Sequence, residues 1–187
     1  MNCDTVTKKQ YEENLRKSFE EKLPNIIDKF CSAKPNGIQP NTHFAPVFAE
    51  CILLYVYGYY YGAISLTQSV AEALAKFLCE RNDLRLNRKS NFSKNIEKLI
   101  KAKKITKKIH ESFLSIWEHR NDYHHLNPEI EKDKQYLEVL AKEKLEQLIS
   151  IEKEIFSYSR NNRKLIPKYP KYWDIENGQL PVYLDLI

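Results

Sequence analysis

CILLYVYGYYYGAISLTQSVA, residues 51–71, is a run of 21 positions without a charged side chain. A stretch of this length could cross a bilayer, so a membrane-spanning helix is one interpretation. The four tyrosines within residues 57–61 and the polar residues at positions 65 and 67–69 make it more polar than a lipid-facing helix. We therefore expect a central helix over residues 42–80, buried on most sides, in which Gly58 and Gly62 allow a neighbour to approach closely.

Apolar residues at spacings of three and four predict further helices on both sides of this stretch. Residues 5–33 form an amphipathic pattern that Pro24 should kink or split. Its apolar stripe consists of Tyr11, Leu15, Phe19, Leu23, Ile26, Ile27 and Phe30. After the central helix, the pattern predicts a short helix to residue 102 capped by Ser90 or Asn91, a helix from 105 to about 127, and a long helix over 128–159.

The chain of 187 residues contains only 4 glycines, which disfavours folds with many tight turns or Gly-rich phosphate loops. The sequence therefore predicts an all-α protein, an antiparallel bundle of about five helices. We expect one domain over residues 1–159. An irregular Pro- and Tyr-rich C-terminal extension should follow over residues 160–187, with a short strand at 180–186.

The four cysteines, Cys3, Cys31, Cys51 and Cys79, form no C-x-x-C pair and have no histidine at ligand spacing, so the sequence predicts no zinc site. The N-terminus lacks the apolar stretch of a signal peptide. We therefore expect a cytoplasmic protein with reduced thiols that pack as small hydrophobic side chains, without a cofactor and without membrane association.

The positive charge of the chain is concentrated in one segment. The chain has a net charge of +5, and its segment over residues 81–110 contains 11 basic and 2 acidic residues. An acidic segment follows over residues 111–159. Such a run is often only a solvated surface, but beside a phosphate-binding cleft it would attract RNA. The candidate RNA-binding residues are Lys101, Lys103, Lys104, Lys107 and Lys108.

The sequence WEHRNDYHHLNP, residues 117–128, concentrates the titratable groups and contains three of the five histidines. On a continuous helix Arg120 would emerge on the face of the apolar stripe formed by Ile116 and Trp117. A guanidinium there needs a partner, either a carboxylate such as Glu72 or an anion such as phosphate. A nearby imidazole can transfer a proton while the arginine stabilises developing charge, which suits metal-free RNA cleavage.

This segment resembles the HEPN superfamily (higher eukaryotes and prokaryotes nucleotide-binding) of helical domains. The hallmark of that family is an arginine followed by a polar residue and, after four to six intervening residues, a histidine; Arg120-Asn-Asp-Tyr-His-His125 fits this pattern. The segment over residues 60–78 is similar to the family helix that carries an inward acid, here Glu72. The resemblance covers residues 42–158.

The resemblance implies a homodimer whose motif helices meet, so that Arg120 and His125 of both copies form a composite cleft. It implies metal-independent endoribonuclease activity, as in toxins or antiphage defence effectors, with a cognate antitoxin or regulatory partner. In one branch of the family a tyrosine follows two positions after the motif histidine and is modified by a nucleotidyltransferase antitoxin. Here that position is Asn127, although Tyr123 lies inside the motif.

Helix geometry and the family pattern select different histidines. The spacing of four residues places His124 on the face of Arg120, whereas the family register selects His125. We assign catalysis to His125, with His124 as a substrate-binding or pKa-tuning neighbour, and we expect His119 to be a solvated surface residue. Asn121 would orient the arginine, bind the scissile phosphate or cap the helix.

Two other functions fit the same residues. Arg120, His125 and Glu72 could form a purely structural hydrogen-bond network in a non-catalytic HEPN-like dimerisation module. Alternatively, the protein could be an RNA-binding adaptor that binds RNA through the basic segment. Its affinity for RNA would then fall steeply with salt and would not depend on His125.

Overall fold

Seven α-helices dominate the part of the chain that the structure describes, which confirms the all-α bundle. The structure is a computed structural model that describes residues 5–33, 37–85, 91–125, 127–128, 133–161, 164–174 and 182–184. The helices are α1 (Thr5–Ala33), α2 (Ala45–Val56), α3 (Tyr60–Glu80), α4 (Phe92–Lys101), α5 (Lys107–Trp117), α6 (Arg120–His124) and α7 (Lys134–Ile155).

The uncharged stretch forms two helices instead of the single helix predicted over residues 42–80. The chain breaks at Gly58, whose φ of 82° lies in the left-handed region that glycine adopts without strain. Gly62 then allows α3 to pack closely on α2, because a Cβ atom at this position would lie 3.4 Å from Leu54. Among the described residues, no helix combines the length and apolarity needed to cross a membrane.

Helix α3 is the centre of the bundle and contacts α2, α4, α5, α6 and α7. Its small residues Ala63, Ala71 and Ala75 are fully or almost fully buried and let the neighbouring helices come close. Larger buried side chains from every layer fill the spaces between the helices, among them Phe48, Phe92, Phe113, Leu148 and Phe156. These side chains belong to one hydrophobic core.

Short polar side chains begin three of the helices. The side chain of Asn91 accepts a hydrogen bond from the Lys94 N–H at 3.0 Å, which settles the choice between Ser90 and Asn91 as the cap of α4. Thr106 and Asp133 cap α5 and α7 in the same way. Each such cap supplies an acceptor for an N–H group that the helix itself cannot satisfy.

Helix α1 runs through Pro24 without being split, and only its C-terminal part packs on the bundle. There the buried Lys29 Nζ lies 2.8 Å from Glu138 and donates to the Tyr60 hydroxyl at 2.7 Å, and that hydroxyl donates to Glu138 at 2.6 Å. This triad joins α1 to α3 and α7. The apolar stripe earlier in α1 is exposed.

The C-terminal extension folds back on the bundle. Strands β2 (Tyr158–Asn161) and β3 (Lys164–Pro167) form an antiparallel hairpin, and a 3-10 turn, Pro170–Tyr172, follows. The predicted strand at 180–186 is present as β4 (Val182–Leu184), which pairs antiparallel with β1 (Ile38–Pro40); the rest of that range lies outside the described residues.

Aromatic residues of the extension belong to the core. Trp173 is 2% exposed and contacts the ring of Phe156 edge-on at 6.3 Å between centroids. Tyr172 is equally buried, and its hydroxyl accepts a hydrogen bond from Asn82 at 3.0 Å. The extension is therefore anchored to the helical part of the chain.

We expect Tyr172→Phe to lower the free energy of unfolding by about 1 kcal/mol, because it removes this hydrogen bond and leaves the ring in place. For a chain of this size, that corresponds to a fall in Tm of roughly 2–4 °C in thermal unfolding. Tyr169→Phe in the same turn is the matched control and should leave Tm unchanged. Equal behaviour of the two variants would contradict the assigned contact.

The described cysteines divide between core and surface. Cys51 and Cys79 are buried, as predicted, whereas Cys31 is exposed and Cys3 lies outside the described residues. Burial raises the pKa of the Cys51 thiol to about 12. Cys51 therefore stays a neutral thiol and packs as a small hydrophobic side chain.

Candidate functional site

The Arg120 segment begins at a sharp break between two helices. Helix α5 ends at Trp117, Glu118 is extended with ψ of 138°, and His119 has a left-handed φ of 58°. Arg120 is then the first residue of α6. The prediction of one helix over residues 105–127 is therefore wrong, and Arg120 reaches its position through this turn.

Two buried side chains from other helices hold the turn. The Lys144 Nζ in α7 donates hydrogen bonds to the carbonyls of Ser115, Ile116 and Glu118 at 3.0, 3.0 and 2.9 Å. The Gln68 Nε2 in α3 donates to the carbonyls of Ile116 and Glu118 at 3.0 and 3.2 Å. These donors replace the N–H groups that a continuing helix would offer. The helix can therefore end here without leaving these carbonyls unpaired.

Lys144 is an unusual buried cation, since its side chain is satisfied by backbone carbonyls alone. It is 2% exposed. Burial lowers the pKa of Lys144 to about 8, although the negative charges of Glu118 and Glu143 act in the opposite direction. An ammonium group with three donors matches three converging carbonyls, and this geometry keeps the lysine protonated at pH 7.

Arg120 lies against an aromatic stack. Its guanidinium carbon is 4.8 Å from the centre of the Trp117 ring, and Trp117 stacks on Phe92 at 4.0 Å between centroids. The Nε of Arg120 is buried and has no hydrogen-bond partner among the described residues. The guanidinium thus lies over an aromatic ring, and it is a planar group of donors of the kind that binds anions.

His124 is close to Arg120 on the same short helix. Its Nε2 is buried and has no hydrogen-bond partner in the part of the chain that the structure describes. Burial lowers the pKa of His124, and the charges of Arg120 and His125 lower it further. The Glu72 carboxylate and the Ser65 backbone carbonyl oppose this shift without cancelling it. The imidazole of His124 is therefore neutral at pH 7 and can accept a proton or a hydrogen bond.

The other residues of the motif take different positions. His125 is exposed at the end of α6, and its backbone N–H donates to the Asn121 carbonyl at 3.1 Å. The Asn121 side chain is also exposed, whereas Tyr123 is buried against the ring of Tyr61. The side chain of His119 is 55% exposed, as predicted, and lies 3.4 Å from Asp122.

Glu72 does not pair with Arg120. Its carboxylate is bound to Lys76 of the same helix at 2.7 Å and influences His124 only through its charge. Within the described residues, no hydrogen bond joins Arg120, His125 and Glu72. The network that a purely structural role for these residues would require is thus missing from this part of the chain.

The five candidate RNA-binding lysines are exposed, but they lie at the other end of α5 from Arg120. They occupy the end of α4, the start of α5 and the loop between them; they are Lys101, Lys103, Lys104, Lys107 and Lys108. The length of α5 separates this loop from the Arg120 turn by about 15 Å. The start of α4, by contrast, lies beside the turn through the stacking of Phe92 on Trp117.

The extension contributes to the surface around this loop. Lys103 and Lys104 line a groove of about 310 Å³ together with Tyr169, Lys171 and Tyr172. The basic segment and the Tyr-rich extension, which are far apart in the sequence, thus form one surface. Tyr169 is half-buried there, whereas Tyr172 faces the core.

Sequence reasoning missed Gln68 and Lys144. Each interrupts an apolar pattern, Gln68 within the uncharged stretch and Lys144 beside Leu145 on α7, and this interruption is the only sequence signal they give. Their partners are 26–29 residues away for Lys144 and 48–50 residues away for Gln68. Only the packing of α3, α5 and α7 shows that both act on the same turn.

No grouping of three or more His, Cys, Asp or Glu residues in the described part of the chain is arranged to hold a metal ion. No family model, curated protein or solved structure matches this chain.

Proposed function

We propose that the protein is a metal-independent endoribonuclease of the HEPN type that uses Arg120 and His125. The observation that supports it most is the pair of buried, unpartnered nitrogen atoms, Arg120 Nε and His124 Nε2, on one short helix that ends at the exposed His125. Buried polar atoms are normally hydrogen-bonded, so the Arg120 N–H favours an acceptor such as a phosphate oxygen, and the neutral His124 Nε2 favours a donor such as a ribose hydroxyl. RNA offers both groups side by side.

The proposed chemistry is an internal transfer within RNA. A histidine accepts the proton of a ribose 2′-OH, the 2′-oxygen bonds to the adjacent phosphorus, and the bond from phosphorus to the 5′-oxygen breaks. A second histidine protonates the departing 5′-oxygen. The products are a 2′,3′-cyclic phosphate and a 5′-OH end. Arg120 stabilises the charge that accumulates on the phosphate oxygens.

The reaction needs an acid and a base, and we assign both roles to His125, one from each copy of a homodimer formed through α6. His124, held neutral by its surroundings, binds the substrate or tunes the pKa of His125. The lysines from Lys101 to Lys108 would hold the strand several nucleotides away from the cut, where their charge supplies affinity without sequence preference.

The wild-type protein should cleave single-stranded RNA in the presence of EDTA and leave cyclic phosphate ends. The test is a gel assay with a labelled oligonucleotide. The control is the same oligonucleotide with 2′-deoxyribose at the cut position, which lacks the nucleophile and should stay intact. Intact RNA after prolonged incubation, or cleavage of the deoxy substrate, would exclude this mechanism.

The proposal extends to a cytoplasmic role as a toxin or antiphage defence effector held in check by an antitoxin or regulatory partner. Induced expression of the wild-type chain should then arrest bacterial growth, and expression of the His125→Ala variant should not.

A further inference from the structure

The N-terminal part of α1 carries an apolar stripe that the bundle does not cover. Tyr11, Leu15, Phe19 and Ile27 are 61%, 70%, 46% and 51% exposed, and Leu23, at 36%, lies between Phe19 and Ile27 in the same row of four-residue steps. Almost every residue over positions 8–25 is exposed. These five side chains present on the order of 500 Å² of apolar surface, as much as the largest patch on a typical monomer.

A helix of this kind is marginal in water without a packing partner. About five turns of α1 are exposed along residues 8–25, so they bury little surface that would offset the entropy of ordering them. The spacing of four residues between successive apolar side chains is that of a helix packed on another helix. The occupant of this face is therefore expected to be helical.

The charges beside the stripe identify that occupant. Along one flank run Lys8, Glu12, Arg16 and Glu20, which alternate in sign at intervals of four residues. Glu12 and Arg16 already pair within the helix at 2.8 Å. If this flank meets an antiparallel copy of itself across a two-fold axis between Glu12 and Arg16, Lys8 faces Glu20 and Glu12 faces Arg16. The row is thus complementary to itself, as a two-fold symmetric interface requires.

We propose that α1 pairs antiparallel with α1 of a second copy of this chain, with Leu15 near the two-fold axis and Tyr11 and Phe19 on either side. The apolar stripe and the charged flank together approach the roughly 800 Å² per partner of a standard interface. This inference does not depend on the ribonuclease activity. If a dimer also forms through α6, the α1 contact joins dimers into larger assemblies.

The test is the molar mass of the full chain at low salt, measured by light scattering during size-exclusion chromatography. Replacing both Leu15 and Phe19 with glutamate should lower the mass to that of the monomer, or of the α6 dimer if that forms, without changing the circular dichroism of the bundle, because both side chains are exposed. A wild-type chain that is a monomer, or an unchanged mass in the double variant, would overturn the proposal.

Charge reversal distinguishes self-pairing from binding to another protein. Arg16→Glu should weaken the association about tenfold, since it places like charges opposite each other at two symmetric contacts. Reversing all four charges, K8E, E12R, R16E and E20K, restores every contact within and between helices and should restore the wild-type mass. If the fourfold variant remains dissociated, the charged flank does not pair with itself.

Discussion

Arg120→Ala and His125→Ala should each lower the rate of RNA cleavage by at least about 100-fold. Removal of a charged donor that stabilises the transition state typically costs 10²- to 10³-fold in rate, and loss of a general acid or base costs 10²- to 10⁴-fold. His110→Ala is the matched control, because His110 lies in the first turn of α5, at the opposite end of that helix from Arg120. The measurement is the single-turnover rate with excess protein.

The arginine also offers a conservative variant. Arg120→Lys keeps the charge but loses the planar group that lies over Trp117 and the buried Nε. We expect an intermediate rate, because a lysine offers a point charge in place of the planar fork of donors. If Arg120→Ala and His125→Ala cleave as fast as wild type, the proposed catalytic roles are wrong.

A comparison of His124 and His125 variants tests which of the two histidines transfers the proton. His125→Ala should reduce the rate more than His124→Ala, and His124→Ala should mainly weaken RNA binding or shift the pH profile. The reverse order would assign the proton transfer to His124, which follows Arg120 by one helical turn.

The second large effect is expected from Lys144→Met, which should slow RNA cleavage about tenfold or more and destabilise the fold by roughly 1–3 kcal/mol at pH 7. Methionine fills a similar volume but offers no hydrogen to the carbonyls of Ser115, Ile116 and Glu118, and a buried group without its partner is costly. Because these carbonyls define the turn before Arg120, a small shift there moves the guanidinium. Lys142→Met, at an exposed position on the same helix, should leave both quantities unchanged.

The lowered pKa of Lys144 also predicts how the free energy of unfolding depends on pH. Its folded-state pKa of about 8 is lower than the usual 10.5, so between these values the unfolded chain holds a proton that the folded chain has released. Raising the pH through this window therefore favours the folded state, at about 1.4 kcal/mol per pH unit, up to roughly 3 kcal/mol. Below pH 8 this contribution is absent.

Urea unfolding of wild type and Lys144→Met at pH 7 and pH 9.5 isolates this effect, because other titrating groups are common to both chains. The difference in unfolding free energy between them should widen at the higher pH. A difference that stays constant would mean that Lys144 does not lose its proton in this range.

Most helices could be predicted from the sequence because apolar spacing reports directly which residues face a core. The spacing located α4, α5 and α7, and the cap at Asn91 follows from a short polar side chain that acts within three residues. The breaks between helices at Gly58 and at Glu118 were harder to predict from the sequence. At Gly58 the uncharged stretch suggested continuity, although glycine permits the left-handed φ that ends α2.

The break at Glu118 had no comparable local signal. Nothing in residues 105–127 stops a helix before Pro128, and the donors that compensate the freed carbonyls come from α3 and α7. In α1 the sequence pattern is clear, but the pattern does not identify what the helix packs against. Its periodicity predicts an apolar face correctly, but periodicity cannot distinguish a face that packs on its own bundle from one that is left exposed.

The turn at His119 has a consequence for how this site can be transferred. A peptide that carries residues 107–128 contains the arginine and the histidines. It lacks Lys144 and Gln68, whose side chains donate hydrogen bonds to the carbonyls of the turn. In such a peptide nothing holds Glu118 and His119 in their turn, so the arginine loses the direction that it has in the bundle. The arrangement is therefore a property of the assembled bundle, and grafting it onto another scaffold would require α3 and α7 to be brought along with it.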